Sequence, residues 1–200
     1  MKIHDCSQGS PEWYEVKLGK VSASHFKDVL NKKSGRATYM YRLLGERLSG
    51  ESYESFSNKA MEWGFETEAE ARNYYESLFG EVQQVGFVER NEYIGCSPDG
   101  LVGLNGGVEI KCPFSATHAK YIINNRLPAE YRAQIQGSLW VTGREWWDFI
   151  SFDPRVKDRP FWKFRVERDE EYIGTLRSAV DIFIDELKDL ESKIIKNFDF

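Results

Sequence analysis

Asp99, Glu109 and Lys111 are the residues whose types and spacing point to chemistry. They stand in Ser97-Pro98-Asp99-Gly100 and Val108-Glu109-Ile110-Lys111. Side chains alternate along a strand, so Glu109 and Lys111 face one way while Ile110 turns into the core. Asp99 is expected to end the preceding strand, with Gly100 and Gly106-Gly107 supplying the turn that sets the two strands side by side. Two carboxylates and an ammonium would then meet. Such a carboxylate pair is costly unless a cation neutralises it, and hard oxygen donors favour Mg²⁺ or Mn²⁺. A cation there would lower the pKa of a bound water and offset charge on a phosphoryl oxygen. Lys111 has donors and no acceptor, so it can orient that water or stabilise the pentavalent charge. Taken singly, Glu109 and Lys111 read as an ordinary cross-strand ion pair and Asp99-Gly100 as an ordinary turn. Their convergence is what carries the chemistry.

The elements that must position them follow from the patterning. Ser22 reads as an N-cap, with Val21 and Phe26 as a hydrophobic staple, for a helix running to about Leu30. A second helix is expected from Thr38 to Leu48, stopped by Gly50, and a third from Lys59 to Phe79, stopped by Gly80. The texture then turns to short β-prone runs: Val82 to Glu89, Tyr93 to Cys96, Gly100 to Val102 and Val108 to Lys111. Pro128 can open a helix through Ala133-Gln134-Ile135 to Trp140. Strands over Trp146 to Phe152 and Phe161 to Val166 follow. Asp169 then caps a long helix whose apolar stripe is Ile173, Leu176, Val180, Phe183, Leu187, Leu190 and Ile194. The pattern is an α/β or α+β layered domain, a central mixed sheet flanked by helices. No repeat or linker divides residues 1–200, so a single domain is expected.

Composition bounds the function classes. Apolar residues make up 41% and charged ones 30%, an ordinary globular balance with no apolar run long enough to span a membrane. The first residues lack the apolar core of a signal peptide, which predicts a protein that stays in the cytoplasm. Cys6, Cys96 and Cys112 are scattered, against a disulfide framework and for a reducing compartment, and Cys96 and Cys112 read as small buried hydrophobes. The net charge of −5 does not advertise a nucleic-acid binder. Net charge averages over faces, however, and Lys17-Lys20, Lys27 and Lys32-Lys33-Arg36 could line one groove. His4, His25 and His118 have no mutual metal spacing, so no zinc site is suggested. No Walker-type loop is present, so no ATP use is expected. Trp146-Trp147 and Trp162 read as core or subunit contacts.

Ser97-Pro98-Asp99-Gly100-Leu101 followed by Glu109-Ile110-Lys111-Cys112-Pro113-Phe114 resembles lambda exonuclease and related phage recombination exonucleases. These belong to the restriction-endonuclease-like nucleases, whose motif is Pro-Asp, a gap, then Asp/Glu-x-Lys. The resemblance continues in order through Trp13 to Ser24, Trp63-Gly64 with Glu66 and Glu68, and Ala133-Gln134-Ile135-Gln136 with Trp140-Val141-Thr142. It ends through Phe152-Asp153-Pro154-Arg155 and Glu167-Arg168-Asp169-Glu170. It implies a restriction-endonuclease-like core. It implies that Asp99, Glu109 and the Ile110 carbonyl bind Mg²⁺, with Glu68 near the metal waters. Lys111 would position the nucleophilic water and Gln134 would help hold it. Three cysteines cannot hold the four-cysteine iron–sulfur cluster of some related nucleases.

Members of that family degrade one strand of linear duplex DNA from its 5′ end to 5′ mononucleotides. They act as a ring-shaped homotrimer beside a single-strand annealing protein. The resemblance thus implies a phage- or prophage-encoded enzyme of recombination. Met61 matches a family position where an apolar side chain wedges between strands at the duplex end; core methionine is the other reading. A 5′-phosphate pocket is expected from Lys17, Ser24 and Ser97, with Ser24 in the first turn of the helix capped by Ser22. The family has an arginine where this chain has Lys17, so the bidentate grip is lost and Lys20 could share the load. Two other readings stay open: an endonuclease or junction resolvase of the same fold, and a DNA-end-binding protein without turnover.

Overall fold

The computed structural model describes residues 1–31, 34–53 and 59–196, with the side chains of residues 34, 59–62 and 64–66 also outside the description. The chain runs β1 (Lys2–His4), α1 (Pro11–Lys17), β2 (Val21–Ser22), α2 (Phe26–Leu30), α3 (Ser34–Ser49) and α4 (Lys59–Phe79). It continues with β3 (Phe87–Asn91), β4 (Ile94–Cys96), β5 (Gly100–Val102), β6 (Gly106–Lys111), α5 (Ser115–Asn124) and α6 (Arg132–Thr142). Strands β7 (Trp146–Phe152) and β8 (Phe161–Glu167) and the final helix α7 (Glu170–Lys196) complete it. The strands of the described residues form two mixed four-stranded sheets, ordered β1-β3-β4-β2 and β5-β6-β7-β8, rather than the one central sheet expected. A bridge between Gln83 and Leu101 links the segment before β3 to β5.

The long helices stop where glycine allows it. Gly50 and Gly80 take positive φ values and return their N–H groups to Glu46 and Glu76. Helix α7 starts on Asp169, whose side chain accepts from the Tyr172 N–H at 3.0 Å. It buries Ile173, Leu176, Val180, Phe183 and Leu187 in the main core, with Leu190 and Ile194 packed against its edge. A smaller cluster of Ala71, Tyr75, Val82, Val108, Ile110, Ile150 and Phe152 fills the space between α4 and the second sheet. No helix among the described residues is long and apolar enough to cross a membrane.

Two local expectations are corrected. Ser22 makes no side-chain cap; its N–H donates to the Tyr39 hydroxyl, and a 3₁₀ turn, Ala23–His25, precedes α2. Gly106 and Gly107 do not turn the chain. They open β6, where a Cβ would lie 2.1 Å from the Trp146 indole and 2.4 Å from the Trp147 indole. The hairpin between β5 and β6 turns instead at Gly103, with φ of +51°. Helix α5 and strands β1 and β2 carry too weak a pattern to be anticipated.

Candidate active site

The β5–β6 hairpin sets the site. Gly100 pairs with Val108 in antiparallel register, so one step further along the ladder Asp99 lies across from Glu109. Asp99 therefore stands just ahead of β5 rather than at the end of β4, and its Oδ2 accepts the Ile110 N–H at 2.6 Å. Arg144 holds the far end of the hairpin, its guanidinium donating to the carbonyls of Val102, Gly103 and Gly106. On the Glu109 side of β6, the Lys111 ammonium reaches Glu109 Oε1 at 2.5 Å. Gln134 on α6 donates its amide to the same oxygen at 2.6 Å. Ile110 turns the other way, into the smaller core. The alternation expected from the sequence holds.

The electrostatics are those of a site short of positive charge. Burial pushes the Glu109 carboxyl up to about 7 despite Lys111 beside it, and Asp99 pushes the same way. Burial raises Asp99 too, against Lys111 and the Ile110 N–H. Glu68 on α4 is raised to about 7 by burial and by Asp99, although Arg72 pairs with it at 2.5 Å. Burial works against the Lys111 ammonium, but Glu109 and Asp99 outweigh it and push its pKa up, so it stays charged. Among the described residues, Lys111 and Arg72 are the cations that act on Glu109, Asp99 and Glu68. Glu109 Oε2 is buried without a hydrogen-bond partner among the described residues. An orphaned carboxylate oxygen beside a second raised carboxylate suits a hard cation better than any side chain present. Among the described residues no three His, Cys, Asp or Glu side chains are gathered as a metal cluster. Asp99 and Glu109 carry the kind of oxygen donor that such a cation takes.

A cavity of about 170 Å³ adjoins this site, lined by Trp13, Lys17, Ser22, Ala23, Ser24, Cys96, Ser97, Gln134 and Ser138. Beside it α6 packs closely on the Ala23–Phe26 segment: a Cβ on Gly137 would lie 2.3 Å from the Phe26 ring and 3.5 Å from Ala23 Cβ. The structure brings Lys17, Ser24 and Ser97 to this one cavity, and Gln134, which also lines it, donates to Glu109. Lys17 Nζ lies 4.3 Å from the centroid of the Trp13 ring, whose indole N–H donates to Ser97 Oγ at 3.0 Å. Lys20 turns back to the Val16 carbonyl and does not line this cavity. The side chains of Met61 and Glu66, and residues Lys32 and Lys33, lie outside the described residues.

Sequence reasoning missed Arg72, Tyr131 and Ser138. Arg72 follows Glu68 at the i,i+4 spacing of a helical ion pair, a signal that was available. Tyr131, whose ring centroid lies 5.6 Å from Lys111 Nζ, and Ser138 carry no sequence mark. The histidines are structural: buried His118 bonds Ser151 Oγ and the Arg159 carbonyl, while His4 and His25 pair with Glu89 and Asp28. Cys96 is buried and Trp147 and Trp162 are core, as expected, whereas Cys112 and Trp146 are only half-buried.

Mixed sheets wrapped by helices, with Pro-Asp and Glu-x-Lys meeting at one hairpin, define a restriction-endonuclease-like nuclease fold. The chain belongs to the YqaJ-like viral recombinase domain family, whose model matches residues 12–145. It is similar to an alkaline exonuclease from Laribacter hongkongensis, at 37% identity and a TM-score of 0.89, over 94% of this chain and 97% of that one. The same enzyme in complex with dAMP aligns at 38% identity and a TM-score of 0.89, with the same coverage of both chains. A phage-related exonuclease from Haemophilus somnus shares the fold at 18% identity and a TM-score of 0.69, over 88% of this chain and 96% of that one. The ExoD protein of Escherichia coli K12 is 32% identical over 68 residues, 34% of this chain and 78% of that protein. The protein is accordingly an exonuclease of a recombination family.

Proposed function

We propose that this exonuclease is Mg²⁺-dependent and degrades one strand of linear double-stranded DNA in the 5′→3′ direction. It would release 5′ mononucleotides and leave 3′ overhangs for single-strand annealing. The observation that carries the reading is the meeting of Asp99, Glu109 and Lys111 beside the cavity of Lys17, Ser24 and Ser97. Asp99, Glu109 and the Ile110 carbonyl would hold the cation. Mg²⁺ bound there supplies a Lewis acid that makes water nucleophilic near neutral pH and offsets charge on a phosphoryl oxygen. Mn²⁺ has the same donor preference.

The chain's own groups do the rest. The Lys111 ammonium, kept charged by its carboxylate neighbours, orients the attacking water and meets the charge that develops on the phosphate. Gln134 holds Glu109 by donating to Oε1, and Oε2, unpartnered among the described residues, would be the atom left to hold the cation. Glu68, with a carboxyl near neutrality, is suited to exchange a proton with water at the site. Lys17, Ser24 and Ser97 would take the terminal 5′ phosphate, which fixes the scissile bond one nucleotide in. The Laribacter enzyme has been captured with dAMP, a nucleoside 5′-monophosphate of the kind this cleavage releases.

A homotrimer enclosing the duplex would give an acidic chain its hold on DNA. Its setting would be the cytoplasm of a bacterial host, beside a single-strand annealing protein. The test is release of acid-soluble nucleotides from linear and covalently closed circular duplexes with Mg²⁺. Mononucleotides from the linear form alone support the reading. A ladder of internal cuts in the circle would replace it with an endonuclease.

A further inference from the structure

Beyond Lys111 the chain leaves β6 through Cys112 and Pro113 to Phe114, a ring 58% exposed to solvent. Trp63 lies on α4, five residues before Glu68, and its indole N–H donates to the Cys112 carbonyl at 3.1 Å. That bond ties the start of α4 to the end of the catalytic strand. Arg155 packs against both rings, its guanidinium carbon 4.4 Å from the Trp63 centroid and 5.3 Å from that of Phe114. The guanidinium is locked in plane. Nε and Nη2 donate to the two oxygens of Asp153 at 2.7 and 2.9 Å, and Ser115 Oγ donates to the same carboxylate. These bonds hold the buried Asp153 carboxyl at about 2, so the pair stays ionised.

An exposed aromatic ring beside a rigidly held, 43%-exposed arginine is more than packing needs. Arg155 gives one edge to Asp153, and its Nη1 end has no bonded partner among the described residues. A guanidinium fork presents five donors, so phosphate recognition remains open to it. The ring and the cation lie past the Lys111 end of β6, where Trp63 ties α4 to the Cys112 carbonyl. We propose that Phe114 and Arg155 form a shelf for one unpaired nucleotide of the DNA strand, its base stacked on Phe114 and its phosphate at Arg155. Every base has a π-face, so the shelf is indifferent to sequence, as a non-specific exonuclease requires. The ligand's identity as DNA rests on the nuclease reading; the shelf itself does not.

The experiment uses a 5′-phosphorylated duplex with three unpaired terminal nucleotides, carrying 2-aminopurine at each in turn, bound in Ca²⁺ without turnover. The wild-type protein should quench the probe at one position. Phe114→Ala should lose that quench and weaken binding about tenfold, the scale of a single base–aromatic stack. Phe114→Trp should restore both. Arg155→Lys keeps a cation on Asp153 but loses the planar fork, and it should raise KM severalfold with kcat unchanged. Unchanged quenching and affinity in Phe114→Ala would overturn the shelf, as would a loss that tryptophan fails to rescue. Failure of the wild-type protein to release nucleotides would count against the nuclease reading alone and leave the binding result standing.

Discussion

Removing the divalent cation should make the protein progressively less stable as pH rises toward neutrality, and the site predicts by how much. Glu109 is 1% exposed, and its carboxyl is raised from the ordinary 4.5 to about 7. In the unfolded chain it ionises near its ordinary value, while the folded site keeps its proton. Between about 4.5 and 7 the folded state therefore binds more protons, and stability falls as pH rises, levelling off above the folded value. At about 1.4 kcal/mol per tenfold change in proton affinity, Glu109 alone amounts to ~3 kcal/mol. For a chain of this length that is a drop in Tm on the order of 10 °C. Glu68 and Asp99 are raised too and act in the same direction. The carboxylates this fold holds low, Asp148, Asp153 and Asp169, titrate below that window. Calorimetry in chelator from pH 5 to pH 8 reads the slope. Saturating Mg²⁺, which replaces the protons, should flatten it, and Glu109→Gln in chelator should make it shallower. A Tm that holds or rises across the window in chelator would refute the reasoning, as would a slope untouched by Glu109→Gln.

Other expectations follow from single contacts. Lys111→Ala should release no nucleotides yet still bind DNA ends with Ca²⁺ in a gel-shift assay, whereas Asp99→Ala and Glu109→Ala should lose catalysis through the cation. Wild-type protein should digest 5′-phosphorylated duplexes faster than 5′-hydroxyl ones in initial-rate assays, and Lys17→Ala should erase most of the difference with the metal requirement intact. Gly137→Ala, which puts a methyl group 2.3 Å from the Phe26 ring, should cost about 1–3 kcal/mol in denaturant unfolding, because α6 and the Ala23–His25 turn must separate. Light scattering should give close to three times the 23.3 kDa chain mass if the subunits form the proposed ring.

Much of the site was legible because strand geometry is periodic. Glu109 and Lys111 had to share a face, and the glycine-rich gap after Asp99 was short enough for a hairpin to bring the carboxylates together. The turn lies at Gly103, not at the paired glycines that suggest it. Gly106 and Gly107 look like turn residues, yet they are bare because two tryptophans cross the strand there, a constraint visible only once β6 lies beside β7. The Ser22 cap failed for a similar reason: Tyr39, seventeen residues on, claims its backbone and holds it extended. Helix α5 escaped because its buried face is carried by His118 and Tyr121, one of them polar, rather than by an aliphatic stripe. The division into two sheets could not be read from short strands at all, since pairing partners are set by packing. Arg155 and Phe114 stand within recognised motif segments, but only the folded chain sets Arg155 against both Phe114 and Trp63.

The most direct test of the central claim is digestion of a linear duplex labelled separately at each 5′ and each 3′ end, with Mg²⁺ and with chelator. With Mg²⁺, the account predicts immediate release of 5′ label as mononucleotide, while 3′ label persists in long single strands; with chelator, no label is released. Early release of 3′ label, or release of any label in chelator, would contradict it.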